Sequence, residues 1–396
     1  MRQTIGLAIV AGCVVMAAVS GCTTSGSENS MGSSQVVEIP AGSFAGVWRN
    51  ALPMQGKTVS QIWLNDDMVF VQTSDNHCFC ILRRDGHAVS YATAAAPTDT
   101  VFAPVTYADR IVFPSTKHLS VFDRSGGLKH RIPLQYSCSS SGVGAGPYAF
   151  VGLDHPNGGR LAAIDTKAQP YTITPWWELM TRGQVSATPA VFNQVIFTGS
   201  RDGSVYAVRS DSREVVWSEL AQGHFRTGGE ILADLKADRT GVYVASMDTK
   251  FYCLKPDSGR IGWVYHSGRP LRETSTPLVT ADSVYLYVPT VGVVAIDKAG
   301  TAEIRSHRWA VAEGRQVLSY DDKYIYLRAD GNRIIAADKQ TGQVEFRSSR
   351  SDFDRFVTNE SAKDNTIFAA TTSGTVYAIR PVLSFGFVGE LVMANP

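Results

Sequence analysis

The sequence contains no adjacent cysteine pair, no Cys-x-x-Cys, no His-x-His and no His-x-x-x-His. Those spacings let one short segment wrap a metal ion, and their absence argues against a structural zinc site. Six cysteines in 396 residues cannot staple a chain of this length, so the fold rests on packing, for which 44% hydrophobic residues suffice. Charge of one sign is never concentrated: 37 Lys and Arg stand against 36 Asp and Glu, with no block of either. A broad electrostatic footprint for nucleic acid is therefore missing. Sustained helical spacing is missing too. The glycine-rich stretches at Gly142, Gly144 and Gly146 and at Gly158 and Gly159 are followed by no Walker lysine, and they read as turns.

The one long apolar run is N-terminal. Arg2 gives a short positive region, residues 5–18 an apolar one, and small residues follow, the layout of a targeting peptide over 1–21. Val19-Ser20-Gly21-Cys22 resembles the lipobox of bacterial lipoproteins, which implies cleavage before Cys22 and a lipid on its thiol. Thr23 and Thr24 stand where an inner-membrane retention signal often places Asp, so the resemblance implies the outer membrane. Residues 22–40 are rich in Ser and Gly and read as a lipidated flexible tether, with the folded body over 41–396.

Within that body one sentence is written repeatedly, most clearly in 195–218, 241–265 and 323–346. Each block has a β-rich run, a turn such as Asp-Gly or Ser-Gly, a run such as Ser-Val-Tyr-Ala-Val, another turn, and an outer run often ending in Trp. The first aromatic of each block falls at Phe70, Phe113, Phe150, Phe197, Tyr243, Tyr285, Tyr326 and Phe368. Spacings of roughly forty residues are those of four-stranded propeller blades. The expected fold is all-β: an eight-bladed β-propeller of four-stranded antiparallel blades. The last block lacks its outer strand, and 44–50 at the N-terminus has no block of its own, so the N-terminal segment is expected to close the ring and remove an exposed edge.

The pattern VYA-[VI]-[DKR]-x-x-[ST]-G-x-[VI]-x-W resembles the repeat of the PQQ-type eight-bladed propellers over roughly residues 44–380. That family holds quinoprotein dehydrogenases and also non-catalytic, BamB-like lipoproteins of outer-membrane assembly. Its dehydrogenases carry an adjacent cysteine pair over the cofactor; the nearest approach here is Cys78-Phe79-Cys80. Aligned blocks put Cys80 and Cys253 in the column of Ala207, Ala295, Ala336 and Ala378, a column that needs small buried residues. Cys138, in a Ser/Gly-rich loop, is the one cysteine with a reactive setting, either free or bonded to Cys78. For a calcium–quinone site the residues to recruit are Glu273, Glu360, Asn359 and Trp177. Asp123, Asp165, Asp297 and Asp338 recur just after one strand, so they are assigned to turns, and Trp217 and Trp263 to packing between blades.

Departures from the repeat carry the functional expectation. Segments 152–163, 175–184 and 221–240 interrupt or lengthen blades, and loops on a rigid scaffold are where binding concentrates. Trp176, Trp177 and Arg182, with Phe225 and Arg226, supply the aromatic and Arg types of interface hot spots and form the candidate interaction surface. The C-terminal extension from Pro381 either covers an edge or docks a partner. The reading is a non-enzymatic outer-membrane lipoprotein, held by Cys22 and facing the periplasm. It scaffolds a protein partner of the envelope, such as the assembly machinery, with no cofactor, no metal and no catalytic residues. The alternatives are a PQQ- and calcium-dependent dehydrogenase and a ligand-binding sensor propeller.

Overall fold

In the computed structural model, the residues described are 34–35, 44–65, 67–107, 109–165, 173–348, 352–381 and 390–391. Cys22 and the targeting segment lie outside them.

The strands group into eight antiparallel sheets. Blades 1 to 7 take their four strands in chain order, beginning at Val59, Val105, Val143, Ala190, Lys236, Leu278 and Gly314. Blade 8 combines Arg355–Val357, Ile367–Ala370 and Thr375–Pro381 with an outer strand from the N-terminus, Phe44–Ala51. The expected closure is thus present: Trp48 pairs with Ala378, one residue past a register shift after Gly46. Three blades carry a short fifth strand. Ser34–Gln35, within the stretch read as tether, pairs with Asn50 and Arg49 of blade 8. Ile304–Arg305 lies parallel to blade 5. Glu390–Leu391 lies parallel to Val344–Ser348 of blade 7, so this part of the C-terminal extension covers an edge.

A blade packs against neighbours on both faces, so its middle strands lose the alternation of a half-exposed sheet. Met68–Thr73, Val242–Ala245 and Ile367–Ala370 are buried at every position. Inside each blade the core is built on one cross-strand pair, a large ring opposite a small side chain. The pairs are Phe70 with Cys80, Phe113 with Ser120, Phe150 with Ala163, Phe197 with Ala207, Tyr243 with Cys253, Tyr285 with Ala295, Tyr326 with Ala336 and Phe368 with Ala378. The two cysteines therefore do stand in the alanine column, because the ring across the ladder already fills the space.

Blades are joined by a second repeated contact. Trp48 and Trp309 in outer strands, and Trp217 in the turn that precedes the outer strand of blade 4, are buried against the ring aromatics Phe368, Tyr285 and Phe197 of their own blades. Each indole N–H donates to a carbonyl in the third-to-outer turn of the next blade: Trp48 to Arg83 at 2.8 Å, Trp217 to Pro256 at 2.9 Å and Trp309 to Lys339 at 2.9 Å. In the same turns Gly86, Gly259 and Gly342 lie against the indole face with φ of 73°, 66° and 71°. The N-terminal strand thus brings the docking tryptophan that locks blade 8 onto blade 1.

The recurrent aspartates serve these turns. Asp123 Oδ1 accepts from the backbone N–H of Ser125 and Gly127, and Asp338 Oδ1 from those of Gln340 and Thr341. Asp297 instead pairs with Arg308. Further aspartates tie blade to blade, as in Arg83 with Asp364 at 2.9 Å and Lys298 with Asp238 at 2.5 Å. The Lys129 ammonium, with the Ser125 hydroxyl and the Gly127 amide, holds Asp123 well below the usual carboxylate range. At Asp238 and Asp364 burial opposes ionisation, but hydrogen bonds from Lys298 and Thr240, and from Thr366 and Arg83, outweigh it and lower both. The unfolded chain therefore binds more protons than the native one as these groups titrate. Their contribution is full above the unfolded value near 4 and is lost as pH falls below it. Thermal melts should drop steeply between about pH 4 and pH 2, and Asp364→Asn should flatten part of that drop.

Candidate functional site

The inner strands of the blades surround a central channel. Call the end that carries the inner-to-second and third-to-outer turns the lower end, and the end that carries the blade-to-blade crossings the upper one. At the lower mouth lies a polar cavity of about 700 Å³, walled by Asn65, Arg83, Thr106, Asn359 and Asp364 and crossed by an ion pair from blade 5 to blade 8. In that pair Lys236 Nζ is 2.5 Å from Glu360 Oε1, and the Glu360 side chain is half-exposed, so the pair closes the mouth with little net stabilisation. A side cavity of about 200 Å³ adjoins it between blades 6 and 7, with Glu273, Arg315, Arg328, Thr358 and Glu360 in its wall. No sequence signal marks this mouth, because its residues come from blades far apart in the chain.

Of the residues recruited for a calcium–quinone site, Glu273 and Glu360 reach one cavity, but the set does not assemble. The Asn359 amide is consumed in its own loop: Nδ2 donates to the carbonyls of Asp364 and Thr366, and Oδ1 accepts from Arg83. Trp177 is fully buried inside blade 3, its ring 4.6 Å from Phe150. These residues do not fit the group. Among the described residues no cluster of three or more His, Cys, Asp or Glu is arranged to hold a metal ion.

The proposed interaction surface divides. Trp177 occupies the docking position of its blade and is withdrawn from the surface, since a residue with no exposed area offers a partner nothing. Its indole N–H finds no acceptor. The turn it faces in blade 4 has Arg213 at φ 63° where other blades have glycine, and there the backbone N–H of Arg213 donates to the Arg209 carbonyl just as that of Gly259 does to Lys255. Trp176 lies in the outer strand Ile173–Thr181, and its side chain is outside the described residues. Arg182 and Arg226 are exposed at the upper end. Phe225 is half-buried and meets Tyr252 of blade 5 edge-on at 5.4 Å. Because side chains alternate along a strand, Phe225 and Arg226 point to opposite faces of blade 4, and with Trp177 buried the described residues of the set do not form one patch.

Segments 152–163 and 175–184 are largely blade strands, whereas 221–240 is mostly loop and crossing around two short strands. Residues 152–163 fall within a long hairpin, Tyr148–His155 with Gly158–Asp165, and 221–240 contain the outer strand His224–Arg226 and the next inner strand Lys236–Ala237. Cys138 is buried, not reactive: its thiol donates to the Ser140 carbonyl, and burial pushes it up to about 12. Cys78, Cys80, Cys138 and Cys253 are all free.

No family model and no curated protein matches the sequence. Solved structures do resemble the fold. BamB from Moraxella catarrhalis superposes with a TM-score of 0.63 at 17% identity, over 85% of this chain and 97% of that one. The computationally designed Ika8 protein gives a TM-score of 0.63 at 13% identity, over 83% of this chain and 98% of that one. At such identities the likeness speaks for architecture: the chain folds as a BamB-like eight-bladed propeller.

Proposed function

We propose that this protein is a non-enzymatic scaffold, lipid-anchored through Cys22 at the outer membrane and facing the periplasm, that holds a protein partner in outer-membrane protein assembly. The observation that carries the reading is the BamB-like ring itself. Its repeated Trp, Gly and Asp residues are engaged in cohesion, while exposed Arg182 and Arg226 remain at the upper end for contact. An anchor confines the ring to a thin layer beside the membrane, so that a weak contact with an embedded partner acts at high effective concentration. Two or three acyl chains, at roughly 0.8 kcal/mol per buried methylene, hold it there almost permanently.

Cells expressing the chain should incorporate labelled palmitate, and Cys22→Ser should abolish the label and release the protein from the membrane fraction. Native-envelope co-purification should return an outer-membrane assembly component. Absence of label, or of any such component, contradicts the proposal, and a quinone spectrum with dye reduction on adding PQQ and calcium would replace it with the dehydrogenase reading.

A further inference from the structure

Between blades 4 and 5, at the lower end and away from the central channel, lies a cleft of about 420 Å³. Its floor is apolar: Phe192, Val195 and Val216 are only partly buried and rest on a core that contains Phe197 and Trp217. Its rim is cationic, with Arg239 and Lys255 both exposed on turns of blade 5. Elsewhere on this end Arg83, Arg124, Lys129, Lys298 and Arg308 are each paired with an aspartate. Arg239 and Lys255 pair with no carboxylate among the described residues. Asp257 also lines the cleft and accepts from the Ser258 hydroxyl at 3.1 Å, which leaves the rim with one excess positive charge.

The wall of the cleft is held in uncommon backbone geometry. Asn193, which lines the cleft, and Gln194, the next residue of the hairpin turn beside Phe192, have φ of 50° and 60°. Left-handed conformations at residues other than glycine cost stability, and they persist where surrounding structure fixes a shape.

We propose that this cleft binds a small amphipathic anion, an aryl or medium-chain alkyl carboxylate, with its apolar body on Phe192, Val195 and Val216 and its carboxylate between Arg239 and Lys255. The volume lies in the range of small-ligand sites, and an apolar lining with a few convergent polar groups is their usual composition. Burying the body drives binding, and the rim selects the charge. A neutral hydrophobe leaves the two cations unused, and a polar anion leaves the floor wet. The site is independent of the scaffold reading and stands or falls separately from it.

Calorimetric titration of the full folded chain with 2-naphthoate, and with decanoate as competitor, tests the site. Saturable 1:1 binding is expected, weakened by added salt, with 2-naphthalenemethanol binding at least tenfold more weakly than the acid. The double variant Arg239→Ala/Lys255→Ala, whose residues are exposed and leave the core intact, should lose at least tenfold in affinity while its thermal melt is unchanged. Arg182→Ala, at the upper end, should bind as the parent does. No saturable binding, equal affinity for the alcohol, or unchanged affinity in the double variant would each overturn the site.

Discussion

Replacing Trp48 with alanine is expected to destabilise the protein by about 3–5 kcal/mol, the range for emptying a buried tryptophan site. Removing residues 44–51 is expected to prevent formation of a stable monomeric ring. Trp48 serves three contacts at once: its strand completes blade 8 beside Thr375–Pro381, its ring packs on Phe368, and its N–H bonds the Arg83 carbonyl of blade 1. Without it the strand Thr375–Pro381 becomes an open edge whose unpaired N–H and C=O groups invite pairing with another chain. The truncated protein should therefore elute as oligomers and lack a cooperative melt. A monomer with the parent's melting temperature would show that the ring does not depend on its N-terminal strand.

The second large effect is expected at Gly259. A β-carbon there meets Trp217 ring atoms at 2.5 Å, and the residue holds φ 66°. Gly268 offers a built-in control, with the same φ of 66° but open space where a β-carbon would go. Both alanine variants bear the left-handed backbone cost of about 1–2 kcal/mol. Only Gly259→Ala also forces the indole from its seat, an overpacking cost of about 1–3 kcal/mol more. Denaturant unfolding of the two variants separates backbone from docking. Equal losses would mean that the glycine serves only the turn, whereas the larger loss at Gly259 assigns it to the contact between blades.

The architecture was legible because each blade must solve the same packing problem, so the solution repeats along the chain: Phe70, Phe113 and their six counterparts mark the second strands, and the small column opposite them explains Cys80 and Cys253. Asp123 and Asp338 were legible as turn residues for the same reason, whereas Asp297 of the same column pairs with Arg308 instead. The docking contact was half legible. Trp217 and Trp263 showed as packing residues, but the Gly259 seat and the Pro256 carbonyl belong to the next blade, and nothing local to Trp217 announces them. Trp177 was misplaced at the surface because Arg213 replaces the glycine of its seat and hides the repeat. Segment 221–240 read as an insertion because its strands, His224–Arg226 and Lys236–Ala237, are too short to show alternation. The cavities were illegible throughout: Lys236 meets Glu360 only after the ring has closed, and Phe192 shares a cleft with Lys255 only once blade 5 packs on blade 4.

Native-state hydrogen exchange on the full chain tests the closure of the ring most directly. Amides of Phe44–Ala51 that pair with Thr375–Pro381 should exchange only through global unfolding, with the same free energy and denaturant dependence as those of Met68–Thr73 in blade 1. Exchange of 44–51 through a low-energy local opening, while blade 1 stays protected, would contradict a propeller locked by its first strand.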